Sequence, residues 1–127
     1  MNEDEIRSVI ERYLHAYNTF DIDGMISVIH PDIIFKNVSG EVVTATATGA
    51  HEFKKLADQS KNLFSARQQT IVKFRTTDDR AFIEVNYEGT LSSDLPNGIE
   101  AGETLRLKGR SELIFRDGRI YRMTDYS

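Results

Sequence analysis

Five polar side chains fall on faces that the hydrophobic pattern turns inward: Asp125, Tyr13, Tyr17, Tyr87 and Ser111. On the last strand Tyr121, Met123 and Asp125 alternate with Arg122, Thr124 and Tyr126, and Arg122 assigns the second set to solvent. A lone carboxylate on the core side is expensive unless it is hydrogen-bonded, protonated or at the wall of a wet pocket. Burial raises a carboxylate's pKa, by about 3–5 units when complete, toward the working range of a general base. Asp125 would then take an acidic carbon-bound proton or activate a water. The plainer alternative is a polar residue fraying out near the chain end.

Tyr13 and Tyr17 lie on the apolar stripe of a helix, and Tyr87 shares an inner strand face with Ala81, Ile83 and Val85. Each is open to two readings, core packing or a phenol offered to a ligand oxygen. Ser111 interrupts the inner row Leu105, Leu107, Gly109, Leu113 and Phe115, where a hydroxyl can bond to water or backbone at low cost. Asn37 ends a strand just before Ser39-Gly40, so it serves either the turn or a ligand. His15, His30 and His51 lack metal-ligand spacing. No glycine-rich phosphate loop, nucleophile elbow or paired-carboxylate motif occurs, and neither a metal nor a cofactor is expected.

The elements that must position these groups follow from periodicity. Ile6, Val9, Ile10, Tyr13, Tyr17 and Phe20 recur at helical spacing and predict a helix over 3–18. Asp21 is an N-cap for a second helix carrying Ile22, Met25, Ile26 and Ile29, which Pro31 ends. Residues 32–38 and 41–46 read as a hairpin, and Phe53, Leu56, Ala57, Ser60 and Phe64 as one stripe of a helix over 50–64. Segments 67–76, 80–91, 103–116 and 119–126 alternate as strands, with a long loop over 92–102. Asp117-Gly118 is a two-residue hairpin signal. The expected class is α+β with antiparallel pairing, in a single domain over 1–127.

At 127 residues, with 39% apolar and 28% charged, the chain has the balance of a globular domain. A net charge of −4 with scattered basic residues argues against nucleic-acid binding, which needs phosphates neutralised. The absence of cysteine excludes disulfides and thiolate chemistry. No segment approaches the length of a membrane span, and the acidic N-terminus lacks a secretory pattern, so a cytoplasmic location is expected.

Two segments carry a resemblance. Arg12-Tyr13 through Phe20-Asp21-Ile22-Asp23-Gly24-Met25 to Pro31-Asp32-Ile33-Ile34-Phe35 resembles the opening of nuclear transport factor 2-like proteins. Ile114-Phe115-Arg116-Asp117-Gly118-Arg119-Ile120, continuing to Thr124-Asp125-Tyr126, resembles their terminal hairpin. The resemblance spans nearly the whole chain. It implies a cystatin-like cone, in which a curved antiparallel sheet wraps three N-terminal helices around an apolar pocket.

That superfamily holds polyketide cyclases, ketosteroid isomerases, epoxide hydrolases and non-catalytic association domains, so fold alone does not fix activity. Relative to the isomerases, Tyr13 falls at the oxyanion-hole tyrosine, but Asn37 and Ser111 replace both aspartates. Relative to limonene-epoxide hydrolases, Phe35-Lys36-Asn37 and Asp125-Tyr126 match, whereas Val85 and Tyr87 replace the Arg and the second Asp. The SnoaL-like group fits best, with its final-strand carboxylate at Asp125, although Met123-Thr124 replaces the usual His-Trp.

This resemblance implies a cofactor-free cyclase, isomerase or hydrolase. Asp125 would be its acid or base, with Tyr13 and Asn37 positioning a carbonyl or hydroxyl of a small apolar substrate. Phe35, Tyr17, Tyr87, Ser111 and Met123 complete the expected substrate site. The alternative is a non-catalytic ligand-binding or association domain. The outer sheet face, with Phe82, Ile114 and Ile120 among charges, is the expected homodimer surface.

Overall fold

Helix α1 (Glu3–Asn18) begins where the Asn2 side chain accepts the Glu5 amide at 2.8 Å, with Glu3, Asp4 and Glu5 in the first turn. It opens the computed structural model, which describes residues 1–127. Its apolar stripe of Ile6, Val9, Ile10, Tyr13 and Leu14 is buried. The C-terminal end is pinned twice to the sheet. Asn18 exchanges two hydrogen bonds with the backbone of Gln69, at 3.2 and 2.8 Å, and Arg67 Nε donates to the Tyr17 carbonyl at 2.8 Å.

Helix α2 (Ile22–Ser27) is capped by Asp21, whose carboxylate accepts the Gly24 amide at 2.9 Å. A Cβ at position 24 would press on that carboxylate, so a larger residue there must shift the capping side chain. The helix is shorter than its apolar spacing predicts: Ile29 opens strand β1 (Ile29–Ser39), and Pro31 lies within that strand instead of ending a helix. Pro31 sits where the β1–β6 register is interrupted between Ile29 and Ile34, a stretch that tolerates a missing N–H.

Strand β2 (Val42–Thr48) returns beside β1. Helix α3 (Ala50–Lys61) follows and stops earlier than expected, because Phe64 pairs with Leu91 as the first residue of strand β3 (Phe64–Thr77). Strands β4 (Arg80–Leu91), β5 (Thr104–Arg116) and β6 (Arg119–Tyr126) complete an antiparallel meander within one residue or so of their predicted limits. Asp117 and Gly118 both have positive φ, 54° and 75°, as that hairpin turn demands.

The six strands are ordered β2-β1-β6-β5-β4-β3. Four pairings are antiparallel, but β1 and β6 run parallel, so the sheet is mixed and the expected all-antiparallel sheet is corrected. The architecture is α+β, with the helices packed on one face of the sheet around a core of 21 buried residues. No helix is long and apolar enough to cross a membrane.

One bulge changes the expected facing. Met123 pairs with Leu113, Arg122 with Ile114, and then Ile120 with Phe115, leaving Tyr121 as an extra residue. Ile120 is therefore fully buried, and Tyr121 turns out against His30, Arg116 and Arg122. This reverses the reading of Tyr121 as inward and Ile120 as outer. Because the bulge precedes Met123, Asp125 keeps its inward direction. The outer face retains Phe82 and Ile114 among the charge pairs Lys73–Glu84 and Arg106–Glu88.

The bulge makes a stability test specific. Ile120→Ala is expected to cost about 2–5 kcal/mol in urea unfolding, as for a filled core site, whereas Ile114→Ala on the outer face costs less than about 1 kcal/mol.

Candidate active site

Strand β6 lies inside the sheet, and this decides the environment of Asp125. In register, Asp125 stands between Asn37 of β1 and Ser111 of β5. Beyond it the chain stays fixed, because the Ser127 amide donates to Val38 and the Gly40 amide to Ser127. Asp125 therefore does not fray.

Ser111 Oγ donates to Asp125 Oδ1 at 2.6 Å. Burial pushes the carboxyl from its ordinary 3.8 up to about 6, with the Ser111 bond pulling the other way. Tyr13 faces it from α1. Burial, aided by the charge of Asp125 and opposed by that of Arg67, holds this phenol above the ordinary tyrosine range. Tyr13 makes an edge contact with Phe53, and its hydroxyl has no hydrogen-bond partner in the protein. A protonated phenol is a donor, and an ionised Asp125 is an acceptor.

These groups border a cavity of about 370 Å³ between the helices and the sheet. Phe35 lines it, edge-on to Phe53. Tyr17 and Tyr87 line it with their hydroxyls paired at 3.0 Å, and burial raises both pKa values. Asn37 also reaches the cavity, but its amide Nδ2 donates to Thr44 Oγ1 at 2.9 Å, so that group is engaged across the hairpin. Met123 is placed differently from the sequence expectation. It is packed in the core, beside a void of about 10 Å³ that Asp125, Ser111 and Tyr13 also border.

Asp125 thus meets Ser111 directly, with Asn37 adjacent on the sheet, and bonds to neither Tyr13 nor Asn37. The inner positions 85 and 87 hold Val85 and Tyr87, so no arginine or second carboxylate joins Asp125 there. No cluster of three His, Asp or Glu side chains is placed to hold a metal ion.

Among the cavity residues that escape sequence reasoning, Arg67 and Gln69 are buried or half-buried polar groups of β3. Their strand alternates Arg67, Gln69 and Ile71 inward, then shifts register between Ile71 and Lys73 so that Phe74 is inside. The inner row begins with two polar residues and changes parity midway, which hides it. The one available signal is the position of Arg67 two residues before Gln69 and four before Ile71.

A family model described as a SnoaL-like domain matches residues 10–123. No curated protein matches the chain. Among solved structures it is similar to a protein from Xanthomonas campestris pv. campestris described as a polyketide cyclase, with 22% identity, a TM-score of 0.85, and coverage of 100% of this chain and 93% of that one. It is also similar to IdmH from Streptomyces antibioticus, likewise described as a polyketide cyclase, with 17% identity, a TM-score of 0.78, and 94% and 89% coverage. A limonene-epoxide-hydrolase-like (LEH-like) epoxide hydrolase from M. tuberculosis shares 16% identity, with a TM-score of 0.78 and 97% and 82% coverage. Likeness at these identities concerns the fold.

The raised pKa of Asp125 has a signed consequence for stability. The native state holds this proton more tightly than the unfolded chain, so stability falls as pH rises from about 4 to about 6 and is level above. Asp125→Asn removes that loss. Its unfolding free energy should exceed wild type by up to about 3 kcal/mol above pH 6, with the difference closing near pH 4, as read by denaturant titration across that range.

Proposed function

The chain belongs to the SnoaL-like domain family, and on that premise we propose that its cavity takes a small apolar carbonyl compound on which Asp125 moves a proton. One observation carries this reading. A carboxylate with a pKa of about 6 borders a mostly apolar cavity, with the partnerless hydroxyl of Tyr13 bordering the same space. A base with that pKa is largely ionised at neutral pH yet still basic enough to accept a carbon-bound proton.

In the proposed step the α-carbon–hydrogen bond breaks, its proton passes to an Asp125 oxygen, and the electron pair moves onto the carbonyl oxygen. Tyr13 donates a hydrogen bond to that developing enolate. Where the enolate is conjugated with a C=C bond, return of the proton to its far carbon gives isomerisation; where the enolate carbon attacks a second carbonyl of the same molecule, a C–C bond forms, the new alkoxide takes the proton back from Asp125, and cyclisation results. Ser111 tunes the base by stabilising its charged form. Tyr17, Tyr87, Phe35 and Asn37 shape the cavity around the substrate. Epoxide hydrolysis has less support, because Val85 and Tyr87 offer no guanidinium or second acid to orient a water.

A binding module without chemistry is the second reading. It is favoured by the single hydrogen bond to Asp125, which comes from Ser111 alone.

Deuterium exchange separates the two. With 2-tetralone as probe in D2O, wild type is expected to accelerate α-hydrogen exchange above buffer, the rate rising with pH through about 6 as the base ionises. Asp125→Asn should lower the accelerated rate by about 10²–10⁴-fold. Binding of the ketone with no exchange by wild type would sink the acid-base reading and leave the binding one.

A further inference from the structure

Arg67 is only 5% exposed, yet no carboxylate lies within ion-pairing distance of it. Its Nε is committed to the Tyr17 carbonyl, and Nη2 is shielded from solvent without any acceptor. The guanidinium carbon lies 3.7 Å from the centre of the Tyr17 ring and 4.6 Å from that of Phe20. Such contacts offset only part of the cost of desolvating a charge. The protein therefore holds a cation whose anion it does not supply.

Arg67 lines the cavity, and the rest of the lining sharpens what is missing. The groups that sense its charge are the phenols of Tyr13, Tyr17 and Tyr87, all kept neutral by burial. The one carboxylate of the lining is Asp125, and it stands elsewhere. The Asp125 row crosses β4 at Ile83, whereas Arg67 pairs with Gly89 on that strand. Tyr13, which feels both charges, lies between them.

We infer that Arg67 is an anion-recognition subsite, and that the cavity takes an apolar ring compound bearing a carboxylate, bound by this guanidinium. A guanidinium with Nε engaged keeps the N–H donors of its Nη groups, and hydrogen bonds from these to a carboxylate are charge-assisted. The ligand's anion would sit at Arg67 and its reacting carbon toward Asp125, with the acid kept apart from the base that would repel it. The inference rests on the cavity reading above and adds to it the charge of the substrate.

The plainer role of Arg67 is to clamp the end of α1 to β3, and the test must tell the two apart. Calorimetric titration of 2-naphthoate and of 2-acetylnaphthalene, its neutral methyl-ketone counterpart, is made with wild type, Arg67→Gln and Arg67→Lys, each checked for folding by circular dichroism. Wild type should bind the carboxylate at least about tenfold more tightly than the ketone, as charge-assisted hydrogen bonds of this kind allow. Added salt should erode that preference and leave ketone affinity unchanged. Arg67→Gln should bring the ratio of the two affinities to about one, whatever it does to ketone affinity itself, and Arg67→Lys should keep part of the preference. Equal binding of the two compounds by wild type, or an undiminished preference in Arg67→Gln, overturns the inference and leaves the carbonyl-binding reading standing. If Arg67→Gln does not fold, the wild-type preference, its salt dependence and the Lys variant decide in the same sense. Binding of neither compound by wild type overturns both readings.

Discussion

The parallel pairing of β1 with β6 is the constraint on which the rest of this molecule depends. It places the C-terminal strand between two neighbours, where every second side chain must face either the helices or the outer surface. A strand at that position could have been an edge, with Asp125 in water and an ordinary pKa. Paired on both sides, it brings the carboxylate to a cavity wall, between Asn37 and Ser111, at the cost of desolvation. The same pairing carries Ile120 into the core and ties Val28 and Val38 to the last strand through backbone hydrogen bonds.

Around that carboxylate the cavity is electrostatically sparse. The phenols of Tyr13, Tyr17 and Tyr87 stay protonated because burial penalises their charged form, so they act as neutral donors and acceptors at physiological pH. The buried charged groups of the lining are Asp125 and Arg67, which are not paired with one another, while the exposed side chains of Lys108 and Arg110 also border the cavity. A low-dielectric site with separated charges makes each available to a ligand, since neither is consumed by an internal ion pair. That separation is enforced by backbone: Ser111 fixes one group from β5, and the end of α1 fixes the other through the Tyr17 carbonyl.

The surroundings of Asp125 are simple. Asn37 and Ser111 flank the carboxylate in register, and the inner positions of β4 hold Val85 and Tyr87, so no second carboxylate or guanidinium stands beside it there. What the site holds is one carboxylate and a neutral phenol bordering a mostly apolar enclosure. Arg67, entering from β3, lines the cavity at a different point.

Periodicity in the sequence determined the helix over α1, the N-cap at Asp21, the four-strand meander, and the inward direction of Tyr87, Ser111 and Asp125. Each of these depends on local alternation or on a short-range hydrogen bond, which residue order encodes directly. Three things required the tertiary structure. The bulge at Tyr121 exchanged the faces of Ile120 and Tyr121, because an extra residue resets the period without any mark in composition. The partnership of β1 with β6 joins segments at opposite ends of the chain, and alternation says which face a strand buries but not which strand lies beside it. The isolation of Arg67 is a statement about what surrounds a charge, so it exists only once α1 and β3 have packed together with no acid between them.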